Sequence, residues 1–232
     1  MLKKLLSYLI PIKIYKAHSS LSKTLEVTWN NGELVLDSEN TNYSYGSLQR
    51  ILRKGLKHIG FEKIAAMDHI LILGVAGGSV VRTLVDEVNF KAKITGVEID
   101  PKIITVANTY FKLNEISNLE IIIDDAFEFV LKTKDKYDLI IIDVFQDTTM
   151  PNFLFESYFV NRICFLLNSS GIVLFNTMCL NVKDNVRNQN FIKDFNYLNF
   201  KIHSIPRIEE HNELIIIEKF IYKTIKLSSP MK

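Results

Sequence analysis

HILILGVAGGSVVRTLVDEVNFKAKITGVEID, residues 69–100, decides the fold. HILIL is a strand with no polar alternation, so both of its faces have to be covered. A glycine turn follows, then a helical SVVRTLVDEV, then a second apolar strand, KITGVEI. The alternation continues downstream. PKIITVANTYF is a helix opened by Pro101 at a first-turn position. LEIIIDD is a strand, AFEFVLKT a helix, YDLIIID a strand, FLFESYFVNRICFLL a helix and GIVLFN a strand. Near-continuous apolar strands alternating with helices predict an α/β protein with a mostly parallel sheet and helices on both faces. After residue 180, a polar helical stretch leads to FKIHSI and ELIIIEKF, an expected antiparallel pair that completes a seven-stranded sheet.

Upstream, TLEVTWNNGELVLD (24–37) reads as a β-hairpin, with Asn31-Gly32 supplying the positive φ of a tight turn. Residues 12–18 add an expected third strand. NYSYGSLQRILRKGLKHIG opens at a turn and continues as an amphipathic helix with Leu48, Ile51, Leu52 and Leu56 on one face. The expected division is an N-terminal helix and β-hairpin region, 1–64, and an α/β domain, 65–232. At the start of the chain, MLKKLLSYLIPIKIYK has a short apolar run broken by Pro11 and Lys13, with no small-residue cleavage site behind it. A short helix packed on the domain is expected there, rather than a signal peptide or a membrane-surface helix.

Hydrophobic residues make up 47% and charged ones 23%, the balance of an ordinary soluble globular protein. A net charge of +2 without a dense Lys/Arg run argues against a nucleic-acid partner. No apolar stretch reaches about 18 residues, so no transmembrane helix is expected. The two cysteines, Cys164 and Cys179, lack ligand spacing and sit in apolar surroundings, which suits a reducing, cytoplasmic setting. His58, His203 and His211 have no metal-spaced partners, and no metal is expected.

Chemistry-bearing residues gather at the strand tips, where open parallel sheets bind ligands. Gly74, Gly77 and Gly78 occupy the first strand–helix turn, where glycine lets backbone approach a ligand and the helix start offers free N–H groups. The spacing is G-x-x-G-G, neither the dinucleotide fingerprint nor a P-loop. Glu98, 24 residues after Gly74, ends the second strand and is placed to accept ribose hydroxyls. Asp100, before Pro101, reads as a helix cap. Asp125 suits either an exocyclic amino group, with Ala126 leaving room for a flat ring, or the cap of the next helix, and Asp124 shares both readings. Asp143 ends the fourth strand, either as a chemical group or as a turn acid. The order along the chain fits an adenosine moiety.

LGVAGGSVVR, VEIDP, DDAFEF, YDLIIIDVF and PNFLFESYF…LLNSSGIVLFN together resemble the spermidine synthases and, more closely, spermidine-synthase-like proteins with a Rossmann-like class I methyltransferase fold. The likeness covers roughly residues 20–180. It implies a transferase, with S-adenosylmethionine or decarboxylated S-adenosylmethionine as co-substrate and a small acceptor such as an amine. It also implies Glu98 at the ribose, Asp125 and Ala126 at the adenine, and Asp143 as the acid that deprotonates the attacking amine. Two positions depart from the family. Gly77 stands where the synthases usually carry Asp, and Asp143-Val-Phe-Gln146 replaces Asp-x-x-Asp, so Gln146 faces the acceptor without a charge. Aminopropyl transfer, methyl transfer and a non-catalytic nucleoside-binding relative all stay open on these residues. The N-terminal β-region, with Trp29 expected to be exposed, is the expected contact of a homodimer. Tyr45 and Gln49 lie near the family's substrate-covering motif and receive no role.

Overall fold

The computed structural model describes residues 2–19, 21, 23–38, 42–145, 149–195 and 199–220. The chain opens with a short helix α1 (Leu2–Leu6) and a four-stranded antiparallel sheet, β1 (Ile12–Ser19), β2 (Lys23–Asn30), β3 (Glu33–Asp37) and β4 (Asn42–Ser44). Helices α2 (Gly46–Ile59) and α3 (Phe61–Ala65) lead into the main sheet. Its strands are β5 (His69–Leu73), β6 (Lys93–Glu98), β7 (Leu119–Ile123), β8 (Tyr137–Ile142), β9 (Leu167–Met178), β10 (Phe200–Ile208) and β11 (Asn212–Lys219). Their order is β10-β11-β9-β8-β5-β6-β7. The pairs among β5 to β9 are parallel, and β11 joins β9 and β10 antiparallel.

Alternate residues of each central strand serve two separate cores, which is why those strands lack polar alternation. Ile70, Ile72, Ile141, Leu174 and Leu214 face the core shared with α2, α3 and α4 (Ser79–Arg82). Leu71, Leu73, Ile142, Phe175 and Ile215 face the core shared with α6 (Ala126–Lys132), α7 (Ser157–Leu166) and α8 (Val182–Lys193). The N-terminal sheet packs Leu25, Val27 and Leu36 on Ile103, Val106 and Phe111 of α5 (Pro101–Phe111). Helix α2 lies before the expected boundary at 64/65, yet its Ile51, Leu52 and Leu56 are buried in the core of the main sheet.

Three local expectations are corrected. Helix α1 forms but does not bury its leucines. Leu2, Leu5, Leu6, Tyr8, Leu9 and Ile10 are exposed, and Ser7 is the anchor, accepting a 3.0 Å bond from the Gly32 N–H. Trp29 is half-buried, with Lys4 Nζ 5.7 Å over its ring. The helix expected through FLFESYFVNRICFLL is a 3₁₀ turn (Asn152–Phe155) followed by α7. In addition, helix α4 widens into a π turn at Thr83–Glu87. No helix among the described residues is long and apolar enough to cross a membrane.

Candidate functional site

The chain runs outward from β5 to β7 on one side of the sheet, then returns to place β8 on the other side of β5. The switch in order therefore falls between β5 and β8, and a crevice opens beyond the carboxyl ends of the strands there. Leu73 pairs with Val97 of β6 and Ile142 of β8, and Ile142 pairs with Phe175 of β9. The next residues, Gly74, Glu98, Asp143 and Asn176, form one row at the floor of a cavity of about 770 Å³. That volume lies within the range of about 300–1,000 Å³ common for small-molecule sites. Helix α2 supplies part of the wall through Ser47, Leu48 and Ile51, and the β10–β11 turn supplies another part through Glu209 to Asn212. Arg50 bridges those walls, its guanidinium 2.8 and 3.0 Å from the Glu209 carboxylate.

Gly74 is constrained by the chain beside it. Its φ is +85°, and a Cβ there would lie 2.2 Å from the Asp143 carbonyl oxygen. The Gly74 N–H donates to Val97 O at 3.0 Å and the Asp143 N–H to Leu73 O at 2.9 Å, so the tip of β5 is tied to β6 on one side and to β8 on the other. Gly77 sits elsewhere. It does not line the cavity, and a Cβ there would meet Ser44 Cβ of β4 at 2.8 Å. Position 77 thus has no space for an aspartate, because the N-terminal sheet closes over it.

Glu98 is buried and holds the glycine turn in shape. Its Oε2 accepts from the N–H groups of Val75 and Ala76 at 3.2 and 3.0 Å, and its Oε1 from Asp100 N–H at 3.0 Å. Burial raises its pKa above the ordinary carboxylate range, against the three backbone bonds, with nearby Asp100 adding to the rise. A carboxylate offers about four lone-pair positions, so with three taken about one is left for a hydroxyl of a ligand. Glu98→Gln can satisfy only one side of this arrangement. It should cost about 2 kcal/mol, read as a lower urea midpoint at unchanged slope.

Asp100 caps α5, accepting from Lys102 N–H at 2.9 Å. Asp125 caps α6 while also lining the cavity, and both of its bonds, from Phe127 N–H at 2.8 Å and Glu128 N–H at 3.2 Å, go to Oδ1. Capping and ligand binding need not compete, because they call on different oxygens. Ala126 and Asp124 line the same wall.

Asp143 is half-buried, reached by solvent through the cavity and enclosed by protein otherwise. Burial pushes its carboxyl up to about 7, the negative charge of Glu98 adds to this, and a 2.8 Å bond from Asn176 Nδ2 opposes it. A carboxyl at that value exchanges a proton near neutral pH. Gln146 lies outside the described residues. Tyr45 and Gln49 do not line the cavity. Tyr45 stacks on Phe111 with ring centroids 4.5 Å apart, and Gln49 Nε2 reaches Thr83 Oγ1 at 3.4 Å. Tyr43 does line it.

Sequence reading missed Asn176 and Asn212. Asn176 is fully buried, and its Oδ1 accepts from Asn212 Nδ2 at 3.0 Å while its Nδ2 serves Asp143. The available signal was the asparagine that ends the apolar run GIVLFN. Among the described residues no group of histidines, cysteines and acids is arranged to hold a metal ion.

The model of the spermine/spermidine synthase domain matches residues 49–218. A probable polyamine aminopropyl transferase of Bifidobacterium longum is 35% identical over 106 residues, 46% of this chain and 23% of that protein. A polyamine aminopropyltransferase of Vibrio vulnificus is 33% identical over 113 residues, 47% of this chain and 38% of that protein. The chain therefore matches less than half the length of either relative. Spermidine synthase from Thermotoga maritima superposes with a TM-score of 0.67 at 19% identity, covering 93% of this chain and 75% of that one. Human methyltransferase-like protein 13, in complex with SAH, superposes at 0.60 and 21% identity, covering 80% and 86%. At those identities the superpositions speak for the fold, and they bear out the class I methyltransferase architecture. With that fold established and the domain match running from α2 through β11, the chain belongs to the spermine/spermidine synthase family.

Proposed function

We propose that the chain transfers an aminopropyl group from decarboxylated S-adenosylmethionine to a small amine. The observation that carries this reading is Asp143, a carboxyl with a pKa near 7 on the floor of the cavity, beside Glu98 and the Gly74 turn. Glu98 accepts a ribose hydroxyl, and the Asp125 side with Ala126 receives the adenine. The sulfonium of the donor makes its neighbouring carbon open to attack by a neutral amine. Asp143 holds the acceptor's ammonium and removes its proton. The amine nitrogen then bonds to that carbon as the carbon–sulfur bond breaks, and the thioether nucleoside leaves. The rest of the site acts by orientation and charge placement.

The relatives, polyamine aminopropyltransferases, support the reaction class, as does a spermidine synthase structure in complex with the transition state analogue AdoDATO. A second reading, methyl transfer from S-adenosylmethionine without polyamine activity, is favoured by Gly77, where Ser44 leaves no room for an acid. Incubation with each donor and a set of mono-, di- and triamines, followed by mass spectrometry, separates them. Addition of an aminopropyl mass with release of methylthioadenosine is expected. Addition of a methyl mass, or no product with any amine, overturns the first reading.

Asp125→Ser tests the nucleoside assignment, since serine keeps the cap within a few tenths of a kcal/mol. Donor binding should weaken about tenfold in calorimetry with little change in stability. The reading also takes the chain as a cytoplasmic homodimer joined through its N-terminal sheet. Sedimentation at micromolar concentration showing only monomer contradicts that part.

A further inference from the structure

The bonds around Asp143 extend away from the cavity through two amides on strands far apart in sequence. Asn176 lies in the buried stretch of β9, two residues before its end, Asn212 starts β11, and the two residues are 36 apart along the chain. Asn212 Nδ2 donates to Asn176 Oδ1 at 3.0 Å, and Asn176 Nδ2 donates to Asp143 Oδ1 at 2.8 Å. An amide has a donor end and an acceptor end. With its oxygen taken by Asn212, Asn176 can present only N–H to Asp143. The polarity of the chain is thus set at Asn212, which also lines the cavity. Its neighbour Glu213 points to the opposite face and is held there by Asn188 Nδ2 at 2.8 Å and by the Ser204 hydroxyl, which fixes the start of β11.

We propose that Asn212 and Asn176 form a two-amide relay of positioning residues that holds the Asp143 carboxylate by Oδ1 and leaves Oδ2 for the acceptor amine. The inference rests on Asp143 being the proton acceptor of the transfer reaction proposed above. A fixed donor at Oδ1 does two things. It restricts rotation of the carboxylate, and it stabilises the ionised form in an enclosed site where burial and Glu98 oppose ionisation. The acids that line the cavity are Glu98 from β6, Asp124 and Asp125 at the end of β7, and Glu210 and the Arg50-paired Glu209 from the β10–β11 turn, with His211 beside them. Glu98 is the one that acts on Asp143 directly. The relay supplies neutral donors where a cationic partner would neutralise the base and repel an ammonium substrate.

The test is a ¹³C-detected titration of the Asp143 carboxyl in the full chain, assigned with Asp143→Asn, in wild type, Asn176→Leu and Asn212→Leu. Leucine keeps the approximate shape and removes the donor. Loss of a hydrogen bond to the charged form should raise the Asp143 midpoint by about one pH unit in Asn176→Leu. Asn212→Leu, which frees the Asn176 amide to turn, should raise it by about half as much. The acid limb of the pH–rate profile should move by the same amounts, with activity at pH 6 falling about tenfold and activity at pH 9 preserved. If Asn176→Leu does not fold, Asn212→Leu, at the cavity edge, decides the matter alone. Unchanged Asp143 titration in Asn212→Leu overturns the relay. Because the titration needs no turnover, a wild type that transfers nothing sinks the reaction reading while leaving the relay to be decided by its own measurement.

Discussion

Asp143→Asn should lower the rate of transfer by about 10²- to 10⁴-fold, the usual contribution of a positioned general base. It should also make the protein more stable above neutral pH. The sign follows from the direction of the shift. The Asp143 carboxyl titrates near 7 in the folded chain and near 3.9 when unfolded. Between those values the folded state binds more protons, so ionising Asp143 costs stability progressively as pH rises through that window. Below about pH 4 both states are protonated and the penalty vanishes; above about 7 it is complete. The full difference corresponds to roughly 4 kcal/mol at 1.36 kcal/mol per pH unit, and water reaching Asp143 through the cavity reduces the expected gain to about 1–2 kcal/mol. Asparagine keeps an oxygen for the Asn176 N–H, so no donor is orphaned. Thermal melts at pH 8 and pH 4 check this. The variant should melt about 3–6 °C higher at pH 8 and equally at pH 4. A variant less stable at pH 8 means that Asp143 serves the structure rather than the chemistry.

Gly74→Ala should be the most damaging single-methyl change in the site. The φ of +85° disfavours any side chain, and the added Cβ would lie 2.2 Å from a backbone oxygen that no rotamer change can move. The expected cost is about 3 kcal/mol or more. Because that oxygen belongs to Asp143, relief of the clash has to push β5 and β8 apart at the floor of the cavity. Activity should therefore fall by more than the folded fraction does. Urea unfolding with single-turnover kinetics separates the two effects. Gly74→Ala at wild-type stability contradicts the tight approach of the two strand tips.

The order of the elements was legible because burial on both faces writes itself into the central strands as apolar runs without alternation, as in ILIL at 70–73 and LIII at 139–142. The strand-tip residues were legible for the same reason, since Gly74, Glu98 and Asp143 each follow such a run directly and Asp125 follows one residue later. Gly77 was the exception. Its neighbour Ser44 comes from a three-residue strand whose position depends on the packing of the N-terminal sheet on α5. Asn176 and Asn212 were not read as site residues because their partnership exists only across the antiparallel β9–β11 pairing. The short apolar run at the start of the chain implies a packed helix, yet Leu2, Leu5 and Leu6 are exposed. A helix of five residues can hold its place through one serine and a turn, without burying its apolar side chains.

Whether the cavity beyond β5 and β8 takes the decarboxylated donor is decided by calorimetric titration. Purified protein is titrated with decarboxylated S-adenosylmethionine and, separately, with S-adenosylmethionine. The decarboxylated form should bind at least tenfold more tightly, because Asp143, Glu98, Asp124 and Asp125 surround the site with acids that repel the carboxylate of the other ligand. Tighter binding of S-adenosylmethionine, or heat with neither, contradicts this assignment.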